Sequence, residues 1–199
     1  MSLNEDRARS FLGPLEGKTA TFQLGGREAN LAFSRTTMHV LATARTPCVI
    51  LDLDAFYSSN ADHIFRRLPG DLASFELRVP AAGADIEAEF SSLFEAEPRA
   101  IVVDSLNTLY HLFSREDGRS RGRKVLFALE ALSQFARANG KPVVLTMYRR
   151  EGLVKQGRGR TIATLSDIAA SAKTDGHEIG IATEKGTAWL GGSVSIRIP

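Results

Sequence analysis

Carboxylates at the ends of short apolar runs are the groups in this chain best suited to chemistry. Ala100-Ile101-Val102-Val103-Asp104 is a β-branched run that ends in an acid and leads into Ser105-Leu106-Asn107-Thr108-Leu109-Tyr110. Such a run reads as a buried parallel strand, and an acid at its carboxyl end stands in the crevice where α/β sheets bind ligands. There it can hold the water shell of a Mg²⁺ ion, as nucleotide-hydrolysing cores require. The same residues also suit a plainer role, with Asp104 or Ser105 capping a helix that begins at Leu106. A second run, Cys48-Val49-Ile50-Leu51, ends in Asp52-Leu53-Asp54. Two positions apart, these acids share a face for as long as the strand continues and part where it ends, so one of them can share the crevice with Asp104. Asp54 equally suits a cap on the turn into Ala55-Phe56-Tyr57.

Basic residues form the second chemical signal. The net charge is only +2, yet Arg115, Arg119, Arg121, Arg123 and Lys124 are offset in their segment by Glu116 and Asp117 alone, and Arg149, Arg150, Lys155, Arg158 and Arg160 by Glu151 alone. Both segments are poor in apolar residues and read as flexible basic loops. In the plainest account they are solvated turns. In the sharper one they contact the phosphates of a nucleic acid, with Tyr148, just before the second, packed in the fold or stacked on a base.

Strands and helices must alternate to position these groups. Residues 19–24, 48–53, 75–79, 100–104 and 143–146 read as strands, and residues 29–44, 61–68, 85–94 and 122–139 as helices. In the last of these Val125, Leu126, Leu129, Leu132 and Phe135 recur at helical spacing, and Gly140 with Pro142 ends it. Residues 178–183 and 193–198 alternate as a C-terminal β-hairpin around Lys185-Gly186 and Gly191-Gly192, with Trp189 between them as a core or interface residue. The expected class is α/β, a mostly parallel sheet with helices on both faces. A chain of 199 residues, 43% hydrophobic, suffices for one such domain, here residues 13–199 after an N-terminal tail of residues 1–12.

Several classes of function are disfavoured. The single cysteine, Cys48, makes neither an internal disulfide nor a zinc cluster, and it points to a reducing compartment. His39, His63, His111 and His177 are scattered without ligand spacing, so no metal centre is expected. No apolar run approaches membrane-spanning length and the N-terminus lacks signal-peptide character, so the expected location is the cytoplasm, with no membrane partner.

Taken together, residues 49–56, 100–110 and Pro142-Val143-Val144-Leu145-Thr146-Met147 resemble the ATPase core of the RecA/RadA recombinase superfamily, above all archaeal RadA and its short RadB-like paralogues. The resemblance covers roughly residues 13 to 199. It implies a RecA-like fold, with Asp104 in the place of the Walker B acid. Asp54 takes the place of the acid that activates the attacking water, where a glutamate is usual. The strand that in the family ends Thr-Asn-Gln, a sensor of the γ-phosphate, here reads Thr146-Met147-Tyr148. The two basic segments fall where the family's two DNA-binding loops lie.

The phosphate loop departs most from the family. Its pattern, Gly-x-x-x-x-Gly-Lys-Thr, should follow the first strand, where backbone amides and the lysine cradle phosphates. Here Gly25-Gly26-Arg27-Glu28-Ala29-Asn30 follows instead, with Ala29 at the lysine position and Asn30 at that of the Mg²⁺-binding hydroxyl. Gly25, Gly26 and Arg27 are the only remaining nucleotide-binding candidates, and a mobile guanidinium does not replace an enclosed lysine. The Gly17-Lys18-Thr19 triplet is no substitute, because Gly13 is one residue too close, Pro14 and Glu16 occupy the loop, and no apolar strand precedes it. The expectation is a RecA-like paralogue with a degenerate Walker A loop, no cofactor, and little or no ATPase activity, since phosphoryl transfer depends on the missing electrostatic groups. It would bind single-stranded DNA through the basic loops and serve as an accessory in homologous recombination or repair, with a RadA-type recombinase or another paralogue as its protein partner. The alternatives are a protein-interaction subunit of a RecA-like assembly, or an ATPase with an altered phosphate loop. With Phe11-Leu12 as the sole upstream apolar pair, filament assembly through an N-terminal aromatic is disfavoured and a monomer or dimer is expected.

Overall fold

The structure, a computed structural model, describes residues 10–66, 68–69, 72–81, 84–113, 118–148, 166–186 and 193–198, and only the backbone of 118–121. The strands are β1 (Thr19–Leu24), β2 (Cys48–Asp52), β3 (Phe75–Arg78), β4 (Ala100–Asp104), β5 (Val143–Tyr148), β6 (Ile168–Thr174), β7 (Glu178–Lys185) and β8 (Ser193–Arg197). The helices are α1 (Arg27–Thr43), α2 (Phe56–Ser59), α3 (Ala61–Phe65), α4 (Ile86–Glu95), α5 (Leu106–Leu112) and α6 (Gly118–Asn139). All eight strands join one sheet in the order β3-β2-β4-β5-β1-β6-β7-β8. The pairings from β3 across to β6 are parallel, and β7 and β8 extend the sheet antiparallel.

Strand alternation explains how the apolar runs feed two cores. Cys48, Ile50, Ala100 and Val102 face a cluster with Phe22, Phe33, Met38 and Leu41, while Val49, Leu51, Ile101 and Val103 face a second with Phe90, Leu93, Leu109, Leu129 and Leu132. The first cluster lies under α1 and the second under α4, α5 and α6. Burial of both faces is what makes β2 and β4 read as continuous apolar runs rather than alternating ones. β1 is two-sided in another way: Ala20, Phe22 and Leu24 enter the first core, while Thr19 accepts a hydrogen bond from Ser133 of α6 at 3.2 Å.

Many element ends shift by one to three residues from the sequence reading, and four differences bear on the core or the site. The buried core begins at Phe11, which is 1% exposed and packs its ring 6.3 Å from that of Phe22, so the tail before Gly13 is in part core. β5 runs on through Tyr148, because its pairing with β1 continues to Leu24. Helix α6 starts at Gly118, not Gly122, so Arg119, Arg121, Arg123 and Lys124 lie on a helix rather than in a loop. β6 has no counterpart in the sequence reading; its Ile-Ala-Ala-Ser-Ala-Lys-Thr is held between β1 and β7. The antiparallel β7–β8 pair does form, while Trp189 and Gly191-Gly192 lie outside the described residues.

Candidate functional site

The carboxyl ends of β2, β4, β5 and β1 bring three acids and several amides and hydroxyls together. Parallel pairing sets Asp52 beside Asp104, and both are fully buried. The backbone then turns, with Leu53 and Asp54 donating their N–H groups to the Asp104 carbonyl at 2.6 and 3.3 Å. Ala55 takes a left-handed conformation, φ 53°, to redirect the chain into α2.

Each acid has a different set of partners. Asp52 accepts the backbone N–H of Tyr57 at 3.1 Å and of Ser58 at 2.8 Å. The capping of the segment after β2, which the sequence allows for Asp54, therefore belongs to Asp52. Asp54 is half-buried and reaches across to α5, where the Ser105 hydroxyl donates to its Oδ2 at 2.7 Å and the Thr108 hydroxyl donates to its Oδ1. Ser105 is also the N-cap of α5, as the capping reading of that segment expects. Asp104 accepts a hydrogen bond from the Thr146 hydroxyl through Oδ1, while Oδ2 is buried without a partner. Burial pushes the Asp104 carboxyl up to about 7; the Thr146 bond and the Asn30 amide oppose this, and the Asp54 and Asp52 charges add to it.

Tyr148 spans the crevice. Its N–H donates to Asn107 Oδ1 at 2.7 Å and its carbonyl accepts from Asn107 Nδ2 at 3.4 Å, which fixes the end of β5 to α5. Its hydroxyl accepts a hydrogen bond from the Asn30 amide in the first turn of α1. Asn30 is fully buried and its Oδ1 accepts from Ser34 at 3.1 Å, so the amide is oriented from behind. Burial raises the Tyr148 hydroxyl well above the usual phenol range, and the charges of Asp104, Asp54 and Asp52 raise it further.

Only Gly25 and Gly26 separate β1 from α1. Gly26 has φ 129°, a conformation that favours glycine, and allows the abrupt turn into the helix. Gly25, Gly26, Arg27 and Glu28 are exposed, whereas Ala29 and Asn30 are buried. Among the described residues no group of three His, Cys, Asp or Glu side chains is arranged to hold a metal ion.

The basic candidates are less completely placed. Arg123 is exposed on α6. Lys124 is half-buried, bonded to Glu87 of α4 at 2.5 Å, with its ammonium 5.7 Å from the centre of the Phe113 ring. Arg119 and Arg121 lie in the first turns of α6, whose side chains at those positions lie outside the described residues, as do Arg115, Arg149, Arg150, Lys155, Arg158 and Arg160 altogether. Asn107 and Thr108 are members of the site that sequence reasoning misses. Their only signal is a polar first turn after an acid-ending strand.

No family model matches this chain, and no curated protein matches it. Many solved structures do. One, the crystal structure of the RadB recombinase, superposes with a TM-score of 0.67 at 14% sequence identity, covering 96% of this chain and 92% of that chain. The fold is RecA-like, as the resemblance of the strand-end motifs implies. Among the described residues no helix is long and apolar enough to cross a membrane.

Proposed function

We propose that this chain is a RadB-like paralogue that does not turn over ATP and that binds single-stranded DNA as an accessory in homologous recombination or repair. The observation that carries this reading is the Tyr148 bridge. A phenol bonded to Asn30 occupies the end of the crevice where the fold family holds the metal and terminal phosphate, and a two-residue Gly25-Gly26 connection stands where a phosphate loop would wrap. The residues present do not fit a Mg²⁺-nucleotide. Asp54 has both oxygens engaged by hydroxyls and is not poised to activate water, and Asp104 is fully buried with one oxygen held by the Thr146 hydroxyl.

What such a chain retains is basic charge. Arg119, Arg121 and Arg123 on the first turns of α6, with Arg115 before them, and Arg149, Arg150, Lys155, Arg158 and Arg160 after β5, supply backbone contacts without base readout. Lys124 contributes less, being committed to Glu87. The test is fluorescence anisotropy with labelled single- and double-stranded oligonucleotides over a salt series, with and without ATP and Mg²⁺. The expected result is single-strand binding that ignores ATP and weakens with salt. Changing Arg121, Arg123, Arg158 and Arg160 to alanine should reduce the slope of log affinity against log salt by up to about 3, near 0.7 for each phosphate that is no longer neutralised. Absence of binding at low salt refutes the DNA role and leaves a subunit of a RecA-like assembly; binding that requires ATP refutes the loss of the nucleotide site.

A further inference from the structure

Among the described residues, helix α6 carries exposed apolar surface. Val125, Leu129, Leu132 and Ala136 are buried in the second core, but Phe127 is 76% exposed and Leu126 is 38% exposed. A lone exposed aromatic needs no explanation. Phe127, however, borders a groove of about 420 Å³ between α4 and α6, whose walls include Phe90, Phe94, Phe113 and Ala128. That volume is within the range of sites that enclose a ligand or a cluster of side chains. Knob and groove thus lie side by side on one face.

The charges flanking Phe127 say what covers that face. Lys124 stands one turn before Phe127 and Glu130 one turn after, each three positions away. A second helix laid antiparallel across Phe127 about a two-fold axis sets Lys124 of each copy opposite Glu130 of the other. An acidic partner segment would be repelled by Glu130 and Glu87, and a basic one by Lys124 and Arg123. A pattern that satisfies itself under two-fold rotation is the requirement of an isologous interface. We propose that a second copy of this chain docks on the α4–α6 face, with Phe127 of each copy entering the groove of the other to form a two-fold dimer. The existing Lys124–Glu87 pair and the 2.8 Å bond from Gln134 to Glu130 restrain the two charged side chains in advance of docking.

Sedimentation equilibrium of the full chain tests this from low to high micromolar concentration. The wild type should show a concentration-dependent dimer, and Phe127→Asp should weaken it by about thirtyfold or more, as loss of a buried aromatic anchor does. Thermal unfolding of that variant should match a monomeric wild-type sample, since the side chain is exposed in the single chain. Charge reversal then distinguishes this geometry from any other pairing. Lys124→Glu and Glu130→Lys should each weaken self-association, and an equimolar mixture of the two should recover a dimer, because every pair across the mixed interface is again of opposite sign. A wild type that stays monomeric throughout overturns the proposal. So does a dimer indifferent to Phe127→Asp, or single-charge variants that do not recover on mixing.

Discussion

Replacing Asp104 by asparagine isolates the electrostatic cost built into the crevice. The Asp104 side chain is fully buried, takes one hydrogen bond from Thr146 and leaves Oδ2 without one. Burial first, then the neighbouring Asp54 and Asp52 charges, lift its carboxyl from 3.8 to about 7. Between those values the folded protein keeps a proton that the unfolded chain has released. Stability therefore falls as pH rises from about 4 to about 7 and levels off once both states are ionised. Full ionisation corresponds to up to about 4 kcal/mol of lost stability. Asparagine has no charge to desolvate and keeps an oxygen for the Thr146 hydroxyl, but its amide takes the place of Oδ2 and costs about 1–3 kcal/mol if unpaired. The expected outcome is that Asp104→Asn gains on the wild type by about 2–3 kcal/mol between pH 5 and pH 8, and is the more stable protein at the upper end. Urea unfolding of both proteins across that range measures the difference, and every titration they share cancels. A difference that stays flat with pH, or that moves in favour of the wild type as pH rises, refutes the account of an enclosed, desolvated carboxylate.

The Tyr148 bridge and the close approach at Gly186 make two further predictions. Tyr148→Phe removes only the acceptor of the Asn30 amide and should cost about 1–2 kcal/mol, whereas Tyr148→Ala also empties part of the crevice and should cost about 2–4 kcal/mol; equal costs in denaturant melts would show that the ring fills nothing. Gly186 has φ 82°, and a Cβ there would meet the Asp167 carbonyl oxygen at 2.5 Å, so Gly186→Ala should lose at least about 2 kcal/mol, measurable as a lowered Tm, with the β6–β7 pair the first to lose hydrogen-exchange protection.

How far the fold was legible depends on whether its causes were local. Residues 19–24 are a strand in sequence and in structure, because an apolar alternation is cut off by Gly25-Gly26. Asp104 falls at the end of β4 because its β-branched run has one reading in an α/β chain. β6 was not legible: three of its seven residues are alanines, and what makes it a strand is the pair of neighbours that sandwich it. The start of α6 is hidden for the converse reason, since Gly118-Arg119-Ser120-Arg121-Gly122 has the composition of a loop. Within the site, the acids could be placed but their partners could not. Asp54 meets hydroxyls more than fifty positions away in sequence, and Asn30 meets Tyr148 across 118, because β1 and β5 are neighbours in the sheet.

The partners also explain why three acids persist where no catalysis is proposed. Removing Asp52 would leave the Tyr57 and Ser58 amides without their acceptor, and removing Asp54 would release the Ser105 and Thr108 hydroxyls that tie β2 to α5. These bonds give both acids a role in the fold. Asp104 differs, because its burial costs stability and one of its oxygens has no bond to lose. Its remaining contribution is to accept from Thr146 and so hold β5, whose end carries Tyr148 into its contact with Asn30, against β4. On the proposed reading, acids that would serve hydrolysis in a RecA-like ATPase are in this chain the framework on which Tyr148 closes the crevice, and the groups proposed to act on other molecules are the basic segments and the α6 face.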